Sequence, residues 1–128
     1  MEFHFTLDTE KNVEQAIQSL ETNLKDEGFG VLWTFNLQEK LQEKGFQLDE
    51  EFKVLEVCNP KEAERVIKEN ILAGYFLPCK VVVYKENGAT KIGMPNPTAL
   101  ISMVDNPQLK EMAQDIEKRL IQVIKKSV

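Results

Sequence analysis

An Asn87-Gly88 pair stands between two short apolar runs, Cys79 to Glu86 and Ala89 to Met94, and constrains the fold more than any other feature of the chain. A type I′ turn needs positive φ at both central residues, which Asn and Gly tolerate, and its twist matches that of paired strands. The two runs are therefore expected to be antiparallel neighbours in one sheet. Three earlier segments also read as strands. Glu2 to Asp8 places Phe3, Phe5 and Leu7 on one face and His4, Thr6 and Asp8 on the other, so His4 is expected to face solvent. Phe29 to Phe35 is strongly apolar. Phe52 to Cys58 puts Phe52, Val54, Glu56 and Cys58 on one face and Lys53, Leu55 and Val57 on the other.

Helix signals separate these strands. Asn12 is placed as an N-cap with Gln15 at N3, and Val13, Ala16, Ile17, Leu20 and Leu24 form one stripe before Gly28 stops the helix. Asn36, with Glu39 at N3, opens a short helix that ends at Gly45, held down by Leu37 and Leu41. Asn59 as N-cap, Pro60 at N1 and Glu62 at N3 open a third, with Ala63, Val66 and Ile67 inward. A short turn of helix from Pro97 carries Leu100 and Val104. Pro107 opens the clearest helix, with Leu109, Met112, Ala113, Ile116, Leu120, Val123 and Ile124 on one side. Asn-Pro occurs at 59–60, 96–97 and 106–107, each time at a predicted helix start, so the dipeptide is a structural device here.

Alternating helices and strands suggest a parallel sheet, but the wet face of the first strand and the terminal hairpin oppose it. The expected fold class is α+β: a mostly antiparallel five-stranded sheet with helices packed on one face, as a single domain over residues 1–128. A chain of 128 residues with 42% hydrophobic and 29% charged residues, without repeats or Gly/Ser linkers, can build one core without staples. Helices cover only one face. Val82 and Tyr84 lie opposite Val81 and Val83 on the fourth strand, so the second face needs a short helix, a ligand or a partner subunit. A homodimer is the expected partner, since twofold dimers are the commonest soluble assembly.

A net charge of −5 and a pI near 5.0 repel a phosphate backbone, which excludes nucleic acid as an expected partner. The nearest approach to a basic patch, Lys118, Arg119, Lys125 and Lys126, reads as cations relieving a helix dipole. The longest apolar stretch, Ile71 to Cys79, is about half the ~20 residues of a membrane helix and contains Gly74 and Pro78, so no membrane partner is expected. Met1-Glu2-Phe3-His4-Phe5 lacks a basic leader region, and a cytosolic chain is expected.

Chemistry concentrates on the two cysteines, Cys58 and Cys79, both expected to be thiols in a reducing compartment. Cys58 precedes a helix N-cap, where N–H groups and the dipole can stabilise a thiolate. Antiparallel third and fourth strands bring Cys58 and Cys79 to one sheet end, close enough for a disulfide only if their Cα atoms lie within ~7 Å. Glu56, flanked by Leu55 and Val57, is the candidate acid or base beside Cys58. Tyr75, Phe76 and Leu77 are the candidates to line a ligand pocket or an interface. The simpler readings are two small buried hydrophobes, a carboxylate paired with Lys or Arg, and a buried connection. Two Cys and one distant His fall short of the four ligands of structural zinc, so no metal and no cofactor are expected. No Ser/His/Asp set or phosphate-binding glycine loop supports a conventional enzyme, and the glycines at 28 and 30 precede a strand rather than follow one.

The blocks Gly28-Phe29-Gly30-Val31-Leu32, Phe52-Lys53-Val54-Leu55, Cys58-Asn59-Pro60, Leu77-Pro78-Cys79 with Val81-Val82-Val83-Tyr84, and Asn106-Pro107-Gln108-Leu109 resemble the bacterial and archaeal family called domain of unknown function 302. The resemblance spans almost the whole chain. It implies a curved antiparallel sheet backed by helices, related in topology to the TATA-box binding protein class, and it implies no activity. Fold does not fix function, and DNA binding is not implied. Three functions follow as expectations, in this order: a dimeric binding or interaction domain with a small-ligand groove near Cys58 and Cys79; a thiol-dependent redox or sulfur-handling protein; and a structural assembly partner with inert, buried cysteines.

Overall fold

Local signals set the helix starts in the computed structural model, which describes residues 2–128. Asn12 accepts from the Gln15 amide at 2.8 Å while the Gln15 side chain accepts from the Asn12 amide at 3.0 Å, closing a capping box on α1 (Val13–Asp26). Gly28, at φ +83°, ends it in the left-handed conformation that glycine allows. The strand β1 (His4–Thr9) precedes this helix, and β2 (Gly30–Asn36), α2 (Leu37–Glu43) and β3 (Phe52–Cys58) follow it. Asn59 and Pro60 then open α3 (Pro60–Glu69), and a 3-10 helix (Ile71–Phe76) leads to β4 (Cys79–Glu86). Asn87 at φ +54° and Gly88 at φ +82° turn the chain into β5 (Ala89–Pro95), as the hairpin signal predicts. Two helices complete the chain, α4 (Pro97–Ile101) and α5 (Pro107–Ser127).

The five strands lie in the order β1-β5-β4-β3-β2, and every neighbouring pair is antiparallel. Alternation along the strands sends Leu55, Val57, Val81, Val83, Ile92 and Met94 to one face, where all are buried. The stripes of α1 and α5 pack there: Val13, Ala16, Leu20 and Leu24 meet Leu109, Ala113, Leu120, Val123 and Ile124 in one core. Every predicted stripe residue of α5 is buried except Met112, which is half-buried. No helix among the described residues is long and apolar enough to cross a membrane.

Some expectations change. The first strand begins at His4 rather than Glu2, and Phe3 is exposed. Pairing runs out there because His4 faces Pro95, which has no N–H to donate, and the Phe3 carbonyl accepts from the Asn96 amide instead. Asn59 and Asn106 cap their helices through their side chains, but Asn96 makes no such bond and donates to the Glu2 carbonyl at 3.1 Å. The helix α2 buries none of its residues, so Leu37 and Leu41 anchor it only at half depth.

The opposite face of the sheet carries Trp33 and Phe35 on β2, Phe52, Val54 and Glu56 on β3, Val82 and Tyr84 on β4, Lys91 on β5, and His4, Thr6 and Asp8 on β1. Trp33 keeps 57% of its surface exposed. Gly93 passes beneath Thr6 on this face: a Cβ built on it would lie 2.7 Å from Thr6 Oγ1, so only glycine lets β5 and β1 close up.

A candidate apolar cavity at the start of β4

In the register of β3 and β4, Val57 faces Cys79, which makes Cys58 the next residue along β3. Both cysteines are half-buried free thiols. They line one small cavity of about 20 Å³ together with Phe29, Asn59, Glu62 and Ala63. Burial, and secondarily the neighbouring Cys58, push the Cys79 thiol up from its ordinary 9.0 to about 11. At neutral pH Cys79 is therefore a protonated wall residue rather than a nucleophile.

That thiol also borders a larger cavity of about 90 Å³, and the two spaces share Val66, Leu77, Cys79 and Ile116. Its floor is α5, through Leu109, Ala113, Ile116 and Leu120; its sides are Phe76, Leu77 and Pro78 before β4, and Pro95, Pro97, Leu100 and Ile101 after β5. Among the described lining residues only Cys79 and Lys80 have polar side-chain atoms, and strand parity sends the Lys80 side chain to the opposite sheet face, beside Glu56. The Leu77–Pro78 peptide bond at its rim is cis.

Of the residues singled out from sequence, Phe76, Leu77 and Cys79 meet in the larger cavity and Cys58 in the smaller. Tyr75 is 84% exposed and lines neither. The run from Ile71 is wound as a 3-10 helix, begun by the Asn70 side chain accepting from the Leu72 amide at 2.9 Å, and its threefold turn leaves Ile71, Leu72 and Tyr75 outward. Glu56 also lines neither cavity, sitting between Trp33 and Lys80 on the uncovered sheet face. The described residues contain no group of three or more His, Cys, Asp or Glu placed to hold a metal ion.

The sequence groups Arg119 with the cations of a helix end, and the structure corrects this. Its guanidinium donates to Glu62 at 2.7 Å and to the Glu27 carbonyl at 2.8 Å, and lies 5.3 Å from the centre of the Phe29 ring. It is spent on holding α5 to the α1–β2 turn and to the start of α3, beside the smaller cavity. Nothing local in the sequence marks this, because the partners are 57 and 92 residues away.

The family model described as "Domain of unknown function DUF302" matches residues 5–127. The chain belongs to the DUF302 family. The crystal structure of an uncharacterized conserved DUF302 protein from Bacillus stearothermophilus is similar to it at 55% identity, covering 100% of both chains with a TM-score of 0.98. No curated protein matches the chain. The DUF302 fold thus accounts for the antiparallel five-stranded sheet and the helices packed on it.

The thiol gives the cavity wall a pH signature. Cys79 binds its proton more tightly folded than unfolded, so its contribution to stability is complete below about pH 9 and is lost as the pH rises through about 11. A rise from 9.0 to about 11 is worth on the order of 2–3 kcal/mol. Urea midpoints measured across this range are expected to fall for the native chain and to fall less steeply for Cys79→Ala.

Proposed function

We propose that this DUF302 chain is a binding domain whose site is the 90 Å³ cavity at the start of β4, and that its ligand presents a small, uncharged apolar group. One observation carries the reading: an open cavity between the sheet end and α5 whose wall is apolar except at the Cys79 thiol, since the parity of β4 turns the Lys80 side chain to the opposite face of the sheet. Such a wall has no partner to offer a buried charge or a strong hydrogen bonder, and leaving those unpaired is costly. An apolar cavity of ~150 Å³ holds a benzene ring, so the smaller space here fits a group of a few carbons. Burying each carbon is worth ~0.8 kcal/mol, which puts a four-carbon group alone in the millimolar range.

The probe is n-butanol, followed by methyl resonances of the full chain. Shift changes are expected at Leu100, Ile101, Leu109 and Ile116, with none at Val82 on the far face. They are expected to vanish in Ala113→Phe, which fills the floor. Absent or scattered changes would sink the proposal. The thiol-chemistry alternative rests on Cys58, because Cys79 is held protonated at neutral pH.

A further inference from the structure

The uncovered sheet face has a built asymmetry. Its β2-β3-β4 half presents Trp33, Phe35, Phe52, Val54, Val82 and Tyr84, tied together by the stacked Phe52–Tyr84 pair at 5.1 Å and the stacked Trp33–Phe35 pair at 6.4 Å. Its β5-β1 half is polar, with Lys91 bonded to Asp8 at 2.9 Å and Thr6 to His4 at 2.9 Å. We propose that this face is the interface of a twofold homodimer, each aromatic half packing on that of the other copy.

Size supports a second copy. Strands ~4.8 Å apart and residues rising ~3.3 Å give five strands of this length a footprint of roughly 550 Å². Pleating and side chains raise the accessible area above that, towards the ~800 Å² per partner of a stable interface. The aromatic half matches the apolar centre of such an interface, and the polar half matches its rim. Trp and Tyr are the residues that most often carry binding energy at a centre of this kind.

Charge selects among occupants. Lys80 and Lys91 nearly balance Asp8, Glu56 and Glu86 on this face, whereas the whole chain carries −5. The excess negative charge therefore lies mostly elsewhere, and two copies can bring these faces together without concentrated repulsion. The same acidity opposes an anionic lipid surface or a nucleic acid, either of which would need a surplus of Lys and Arg around the exposed rings. A twofold axis through the face also makes it self-complementary, aromatic half to aromatic half, without a second protein.

Trp33 is the only tryptophan, so its emission reports this interface directly. In sedimentation velocity the full chain is expected to run at twice its own mass and to fall to one chain on dilution, with Trp33 emission moving to the red in step. Val54→Lys is expected to run as one chain at every concentration while keeping the native circular dichroism spectrum. Should that variant misfold, Trp33→Arg alters only an exposed position and carries the same expectation in sedimentation. Gln114→Lys, on the solvent side of α5, is expected to remain a dimer. A native chain that sediments as one copy at all concentrations overturns the proposal. So does a folded Val54→Lys dimer, or a heterologous partner that covers the face of a monomer.

Discussion

Leu120→Ala is expected to destabilise the protein by about 3–5 kcal/mol and, at the same time, to improve its binding of small apolar molecules. Leu120 is 1% exposed and belongs both to the central core and to the floor of the 90 Å³ cavity. Truncation removes transfer free energy and leaves space that its neighbours on α5 cannot refill, since helix backbones move little to close a hole. The urea midpoint should drop with an unchanged slope, and the melting temperature should fall by roughly 10 °C or more. Leu20→Ala is the comparison. Leu20 is equally buried but does not line the cavity, so it should show a similar loss of stability and no gain in n-butanol affinity. If both variants gain affinity equally, the cavity is not the place where apolar molecules bind.

The floor of that cavity was legible in part. The stripe from Leu109 to Ile124 was plain because a 21-residue helix repeats its period many times. Short-range rules also placed the capping box at Asn12, the start at Asn59-Pro60 and the turn at Asn87-Gly88, since each is a contact within a few residues. The meeting of Cys58 and Cys79 at one sheet end follows from the antiparallel pairing of β3 and β4. What connects distant segments was not legible. No residue in β1 announces that its partner is β5, at the other end of the chain; the pairing is closed by Gly93 yielding space to Thr6, a contact between residues 87 positions apart. The far wall of the cavity, Pro95, Pro97, Leu100 and Ile101, could not be joined to Phe76 and Leu77 without that same topology. Tyr75 and Glu56 show the converse. Residue type suggested chemistry for both, and the 3-10 winding and the strand parity set them away from the cavity.

Arg119→Ala is expected to cost about 3 kcal/mol, a loss that charge counting along the sequence would not anticipate. Glu62 is only 12% exposed at its side chain, and removing the guanidinium leaves it with Arg65 alone, at 2.9 Å. The Glu27 carbonyl loses its short bond at the same time and keeps only the long one from the Asn59 side-chain amide at 3.5 Å, and the Phe29 ring loses the cation above it. Arg119→Lys should recover only a small part. A single ammonium cannot donate in the planar fork that spans Glu62 and the Glu27 carbonyl at once. High salt should leave most of the difference in place, because the pair is mostly shielded from solvent, whereas an exposed pair such as Lys68–Glu64 would be screened. Urea denaturation at low and high salt measures the global term. Amide exchange locates it: the Phe29 amide, bonded to the Leu24 carbonyl at the end of α1, should exchange faster in Arg119→Ala than the unfolding free energy alone requires. Equal acceleration everywhere would mean that Arg119 stabilises the molecule as a whole and does not pin the α1–β2 turn against α3.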